Sequence, residues 1–306
     1  VRPSLARCGL MRGDRVAAVL PNGPEAATLF LAVPPCGAVY APLSPQLPRS
    51  ELDFELQDLP AQLLVLGRLP GPCQALVREA AAATGVLMLT LEPSAEVAGI
   101  FTLRGGPSSC EPTALPATLP AQPDRGCPAL ALHTSGTTRR PKLVALTHEN
   151  LCCGAVCIAS TLQLAPNDLC LNTLPLFHIH GLSVNILAPA VAGARTLCLH
   201  GSFDVEAFLA RLGEAESKIT WYSAVPSMHH IVLEAARARF HRRPPRGLRV
   251  VRSCSAHLPA ALLTALEGLW GVEVLPTYAM TESMPIASPP LHGGPAGAER
   301  GLGWAA

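Results

Sequence analysis

The chain predicts an α/β fold in which parallel sheets are sandwiched by helices, arranged as two successive lobes. Three observations carry this. Short apolar runs alternate with longer stretches of helical periodicity from Arg15 to Tyr278, as βαβ units require. The length, 306 residues, exceeds the about 100–200 typical of one domain. Apolar residues make up 49% and charged residues 15%, which suits a buried core and not a disordered chain.

Taken in order, Ser4 to Leu10 reads as a helix, Arg15 to Leu20 as a strand, Pro21-Asn22-Gly23-Pro24 as a turn and Glu25 to Val33 as a helix. Pro34 and Pro35 carry no N–H and are expected to fray the end of that helix. Strands follow at Ala38 to Leu43, Leu63 to Leu66 and Val86 to Leu91, with helices at Ser50 to Asp58 and Gln74 to Thr84. From Pro93 to Pro128 seven prolines and no sustained periodicity predict a surface connector. The first lobe is therefore drawn as 1–128, a second as 129–292, and 293–306 as an irregular tail.

The second lobe opens with strands at Ala129 to Leu132 and Leu143 to Leu146. A helix capped by Thr147 follows, with Glu149 in its first turn and a buried face of Leu151, Ala155, Ile158, Ala159 and Leu162. Strands at Leu169 to Thr173, Arg195 to Leu199, Ile219 to Ser223, Leu248 to Ser253 and Val272 to Tyr278 then alternate with helices at Leu182 to Val191, Val205 to Leu212 with Asp204 as cap, Pro226 to Ala236 and Pro259 to Leu269. In such sheets ligands bind beyond the carboxyl ends of the strands. The polar motifs sit at those ends.

The first motif is His133 to Lys142, HTSGTTRRPK. Thr134, Ser135, Thr137 and Thr138 bring four hydroxyls, Gly136 permits close backbone approach, and Lys142 adds a mobile positive charge. Set between two strands and pinned by Pro141, this reads as an anion cradle rather than an ordinary polar turn. It is not a Walker loop, which needs glycine directly before its lysine, so kinase-like readings fall. Three further segments stand at strand ends. Thr173 to Gly181, TLPLFHIHG, offers His178 and His180, which without further ligands read as pocket or core residues and not as a metal site. Arg252 to Pro259, RSCSAHLP, leads into a helix and suits an anion or a polar ring edge, although Ser255 would also serve as a plain cap. Thr277 to Ser283, TYAMTES, offers the flat ring of Tyr278, the hydroxyl of Thr281 and the hard oxygen ligand of Glu282.

Charge and cysteine usage narrow the partners. A net charge of +1 lacks the basic footprint of a nucleic-acid binder. Eleven cysteines, an odd number without paired spacing, argue against a disulfide framework and for a reducing compartment. Cys153 and Cys157 lie one helical turn apart but lack the further ligands zinc needs. No run approaches the about 20 apolar residues of a membrane span, and no signal peptide opens the chain, so it reads as soluble and cytoplasmic. It begins at Val1 as if in mid-domain, and upstream sequence is expected to be missing.

Together HTSGTTRRPK and YAMTE resemble the adenylate-forming superfamily of acyl-CoA synthetases, luciferases and peptide-synthetase adenylation domains. The opening segment, GDRVA, LPN, FLA, GA and PL in order, is similar to that superfamily's start. Arg139 stands where the usual loop has glycine, and with Arg140 after it the form fits the branch resembling oxalate–CoA ligases. The resemblance implies ATP and Mg²⁺, with coenzyme A as co-substrate and a small carboxylic acid as partner; it leaves oligomeric state open and allows a peroxisomal address for a longer parent. Thr134, Ser135, Gly136, Thr137, Thr138 and Lys142 would hold the phosphates. Ser255, Ala256, His257 and Tyr278 would flank the adenine, Thr281 would meet the α-phosphate and Glu282 the metal. Lys142, Thr281 and Glu282 are thus the expected catalytic residues.

By the same resemblance TLPLFHIHG would line the acyl pocket. Amino-acid-activating members place an aspartate directly after the phenylalanine, and His178 stands there instead, which points away from an amino acid. His178, His180 and Arg252 are the candidates for a short dicarboxylate such as oxalate, against a medium-chain or aromatic acid. From Gly293 onward the sequence matches none of the family's later motifs, so the small C-terminal domain is expected to be missing. That gives a second reading, a non-catalytic nucleotide-binding remnant.

Overall fold

In a computed structural model of the chain, residues 5, 8–105, 123–134, 141–214, 216–239, 247–291 and 304–305 are described. They fall into two compact units, the first comprising Val1–Glu149 with Leu176–His178 and the second Asn150–Pro175 with Ile179–Ala306. Of the helix expected at Ser4 to Leu10, Leu5 is helical, but Cys8 and Gly9 form a turn with Gly9 at φ 70°, so no helix reaches Leu10; Ser4, Ala6 and Arg7 lie outside the described residues.

The first unit is built on a seven-stranded sheet. Its strands are β1 (Arg15–Val19), β2 (Val39–Leu43), β3 (Leu63–Leu66), β4 (Leu87–Pro93), β5 (Phe101–Arg104), β6 (Pro128–Thr134) and β7 (Lys142–Thr147), in the order β5-β4-β3-β1-β2-β6-β7. The inner five run parallel, and β5 and β7 close the two edges antiparallel. β2 and β3 are buried at every position, which is why they read as unbroken apolar runs and not as alternating ones. The helices are α1 (Pro24–Ala32), α2 (Arg49–Asp58) and α3 (Gly71–Thr84). Leu52 and Leu56 of α2 and Val77, Ala80 and Ala81 of α3 fill one core with Ala17, Val19, Leu64 and Leu66.

Three expectations are corrected here. The proline pair does not fray α1: Val33 N–H still donates to Leu29 O at 3.0 Å, and Pro34–Cys36 continue as a 3-10 turn closed by Gly37 at φ 84°. The proline connector contains a strand, β5, paired with β4; its alternation rests on Phe101 and Leu103 alone, too short a run to stand out from the sequence. The boundary expected at 128 falls instead after Glu149, because β6 and β7 complete the first sheet.

The second unit holds an all-parallel five-stranded sheet, β12-β11-β10-β8-β9, from β8 (Leu169–Asn172), β9 (Arg195–Cys198), β10 (Trp221–Ala224), β11 (Val250–Ser253) and β12 (Glu273–Pro276). Its helices are α4 (His148–Thr161), whose first two residues count with the first unit, α5 (Ala188–Val191), α6 (Val205–Gly213), α7 (Pro226–Arg239) and α8 (Ala260–Trp270). Strand alternation sorts the two faces. Tyr222 and Val251 pack under α6, α7 and α8, with Phe208, Leu233 and Trp270. Trp221 and Val250 face α4, with Ala155, Ile158 and Val184. Of the face expected for α4, Leu151, Ala155 and Ile158 are buried, and Ala159 only partly.

Two elements depart from expectation. The helix expected from Leu182 begins two residues earlier and is wound as a π-helix over His180–Leu187, running into α5. Gly181 allows the tight entry, since a Cβ there would overlap the Pro175 carbonyl oxygen. The strand expected to run on to Tyr278 stops at Pro276. Tyr278–Met280 (β13) turns into an antiparallel hairpin with β14 (Met284–Ser288), and Trp304–Ala305 (β15) adds a third strand. The tail expected to be irregular thus contributes a strand.

Candidate functional site

The predicted site residues lie on both units. In the first, β6 and β7 form a hairpin whose register sets His133 against Leu143 and Thr134 against Lys142. Thr134 Oγ1 donates to the Lys142 carbonyl at 3.4 Å, and the Lys142 side chain is exposed. Ser135, Gly136, Thr137 and Thr138 lie outside the described residues. His178 is exposed, its ring 4.6 Å from that of Phe177. Just before it, Leu176 N–H donates to Asn22 Oδ1 at 3.0 Å, at a small cleft lined by Ala18, Leu20, Tyr40, Pro42 and Phe177.

The second unit supplies a buried polar cluster. Arg252 is the third residue of β11 and only 3% exposed, so its guanidinium is inside the fold. Nη1 donates to His180 Nε2 at 3.2 Å and to Ser223 Oγ at 3.5 Å. His180 is itself buried, with Ser223 Oγ 2.7 Å from Nε2 and Ser255 Oγ 2.9 Å from Nδ1. Arginine can only donate, so Nε2 must accept. The imidazole is therefore neutral, with its proton on Nδ1 and donated to Ser255. No carboxylate among the described residues pairs with Arg252. Burial pushes its guanidinium down from the ordinary value and the neighbouring Cys254 pushes it back up.

The sequence places these groups by a simple rule. β10 and β11 each end on the same face, Ser223 and Arg252 pointing to the side of the π-helix that follows β8. β8 and β10 flank the point where strand order reverses, where open α/β sheets bind ligands. Ser255 holds φ 75°, a left-handed backbone that side chains avoid, and this turns its hydroxyl to His180. It does not cap α8, whose cap is Pro259 without any side-chain bond. Ala256 and His257 are exposed beside it.

The remaining predicted residues sit on the β13–β14 hairpin. Met280 pairs with Met284, so Thr281, Glu282 and Ser283 form its three-residue tip, and Met284 takes φ 63° to close it. Tyr278 is 51% exposed, a free aromatic face. Glu282 is exposed and makes no hydrogen bond or ion pair among the described residues. Behind the tip, Met284 packs where a Cβ on Gly154 of α4 would stand.

The structure therefore brings together His180, Arg252 and Ser255 on one side and Tyr278, Thr281 and Glu282 on another. His178 is not a member of the buried cluster, which closes within the second unit. Ser223 is a member that the motifs do not name; its strand-end position after an aromatic pair is the available signal. Cys153 is exposed and Cys157 partly so, and no group of three His, Cys, Asp or Glu that could hold a metal exists among the described residues. No helix among them is long and apolar enough to cross a membrane.

The sequence pattern of the AMP-binding enzymes matches residues 3–304. The chain belongs to that family. The match runs on through the tail past Gly293. Among curated relatives, a probable CoA ligase of Humulus lupulus is 36% identical over 94% of this chain and 53% of its own length. An oxalate–CoA ligase of Arabidopsis thaliana is likewise 36% identical, over 92% of this chain and 53% of its own length. The crystal structure of ATP-bound MatB from Rhodopseudomonas palustris superposes with TM-score 0.80 at 28% identity, over 96% of this chain and 55% of that one. The chain thus spans about half the length of the relatives it matches.

Proposed function

We propose that this chain is the nucleotide- and acid-binding portion of an ATP-dependent acid–thiol ligase, and that its acid is a short dicarboxylate such as oxalate. The carrying observation is the buried Arg252, a positive charge whose described partners, His180, Ser223 and Cys254, include no carboxylate. Leaving a charge in a dry interior costs several kcal/mol, and an incoming anion offsets that cost. A carboxylate fits the guanidinium fork, with hydroxyls of Ser223 and Ser255 at hand. In a dicarboxylate the second carboxylate can meet this charge while the first reacts; a long monocarboxylate has only the reacting one. Similarity to an oxalate–CoA ligase supports the same choice.

On this reading Lys142, Thr134 and the loop residues 135–138 hold the terminal phosphates of ATP, while Tyr278, with Ser255, Ala256 and His257, borders the adenine. Thr281 meets the α-phosphate. The ATP-bound state of the MatB relative supports the nucleotide. Glu282 fits an Mg²⁺ ligand because its carboxylate is exposed and unengaged; bound there, the metal would neutralise phosphate charge. Attack by the acid on the α-phosphorus would release pyrophosphate and leave an acyl-adenylate, a better electrophile than the carboxylate, whose carbonyl carbon the coenzyme A thiol would attack to form the thioester with release of AMP. The protein's part is to orient the acid and nucleotide and stabilise developing charge.

Calorimetric titration with acids from oxalate to octanoate, with Mg²⁺ and ATP present, tests this. Oxalate or malonate should bind and octanoate should not, with the dicarboxylate response lost in Arg252→Gln. Preference for octanoate, or an unchanged response in Arg252→Gln, would refute the short-dicarboxylate assignment.

A further inference from the structure

Directly before the nucleotide loop, His133 is held from both sides by α2. Its Nε2 lies 3.1 Å from Asp58 Oδ2 and its Nδ1 3.7 Å from Glu55 Oε2, while its ring meets the edge of Phe54 at 6.4 Å. The imidazole is nearly sealed, its side chain 4% exposed, and the Glu55 side chain is 9% exposed. Glu55 and Asp58 stand three residues apart, on one face of the helix. Glu51, one turn before Glu55, is the other charged group influencing that site from α2. From β7 the nearest in register is Lys142, paired with Thr134.

We propose that His133 is a positioning residue for nucleotide binding, clamped between Asp58 and Glu55 so that the strand ends on either side of the phosphate loop are fixed. The inference rests on the nucleotide reading given above. Its logic is one of placement. β6 ends one residue after His133, and His133 pairs with Leu143 beside Lys142, so holding one imidazole holds both β6 and β7 where the loop leaves and returns. An apolar side chain at 133 would bury as well but could neither bond Asp58 nor answer the charge of Glu55. The clamp also needs one proton between Glu55 and His133. With it, Nε2–H donates to Asp58 and the protonated Glu55 faces Nδ1. Without it, two carboxylates flank a neutral ring and Glu55 faces a lone pair, so the grip loosens as pH rises.

Calorimetry on this chain with ATP and with adenosine, which has no phosphates, tests the proposal. His133→Phe should weaken ATP binding about tenfold and leave adenosine binding unchanged, since misplacing a phosphate-binding loop by about 1 Å has effects of that size or larger. Asp58→Leu should do the same and Asp58→Asn, which keeps an acceptor, should rescue. Between about pH 6 and pH 8 the ratio of wild-type to Glu55→Gln affinity should fall. Equal losses for ATP and adenosine, no loss for either variant, or a ratio flat with pH would overturn the clamp. Should His133→Phe fail to fold, the Asp58→Leu and Asp58→Asn pair decides the question in its place. A folded wild-type chain that binds adenosine but no ATP overturns the nucleotide reading itself and the clamp with it.

Discussion

Arg252 Nη1 donates to His180 Nε2 across 3.2 Å, and that bond makes His180 a neutral acceptor rather than a second cation. The cluster therefore carries one buried positive charge, oriented by a ring that is in turn oriented by Ser255. A fold seeking stability alone would place a hydrophobe at this position.

Arg252→Met should accordingly stabilise the folded chain by about 1–4 kcal/mol, the range seen when buried ionic groups give way to apolar ones of similar size, while removing the response to oxalate or malonate. Urea denaturation alongside dicarboxylate titration reads both. Loss of stability in Arg252→Met would make the arginine a structural member and not a binding group.

Glu55 gives the chain a pH-dependent stability. Burial, then Glu51 and Asp58, raise its carboxyl from 4.5 to about 7. A group whose folded value is raised contributes stability that is complete below its unfolded value and is lost as pH rises through the folded one, here between about 4.5 and about 7. At about 1.36 kcal/mol per unit the loss is about 3 kcal/mol. His133 acts oppositely, because burial lowers it and stability falls as pH drops below its ordinary value. The difference between wild type and Glu55→Gln isolates the carboxyl. Denaturation series at several pH values should show wild type losing stability against that variant across this window, and parallel curves would contradict the assignment.

The cap on α6 permits a plain stability check. Asp204 Oδ1 accepts from Glu206 N–H at 2.9 Å and Ala207 N–H at 3.2 Å, satisfying two of the helix's free donors. Asp204→Ala should cost about 1 kcal/mol with no change in ligand response. A loss below measurement would mean water replaces the cap.

Much of this architecture is legible because strand burial and helix periodicity are local signals. β3 reads as Leu63 to Leu66 in sequence and structure alike, and Asp204 announces its helix by residue type alone. What is not legible depends on partners distant in sequence. β5 has half-exposed residues and exists because β4 offers an edge, as pairing of Thr90 with Arg104 records. The π-helix at His180 depends on Gly181 meeting Pro175. The hairpin at Tyr278 requires Met284 in a left-handed backbone, which no propensity favours. At the site, the motifs name His180, Arg252 and Ser255 individually, but Ser223 joins them only through the register of β10 on β11. Sequence likewise groups His178 with His180, although one is exposed and the other buried, because alternation along an irregular segment cannot be read from spacing.

On the proposed reading, the hairpin tip and the end of β7 act differently on the nucleotide, in a way that metal dependence can separate. Lys142 brings its own charge, exposed and without a salt bridge among the described residues, so its contribution to phosphate binding should persist without divalent metal. Glu282 is an anion and would repel phosphate directly, so on the proposed reading it helps only through Mg²⁺. Lys142→Ala should therefore weaken ATP binding about tenfold both with Mg²⁺ and with EDTA, the loss expected of one charge-assisted hydrogen bond. Glu282→Ala should weaken it with Mg²⁺ and leave it unchanged or slightly stronger in EDTA. Tyr278→Ala should weaken ATP and adenosine alike, because on the proposed reading its exposed ring would meet the base and not the phosphates. Calorimetric titration of the three variants, each checked for folding by circular dichroism, measures these patterns. A Glu282→Ala loss that survives EDTA would remove the metal role from that carboxylate.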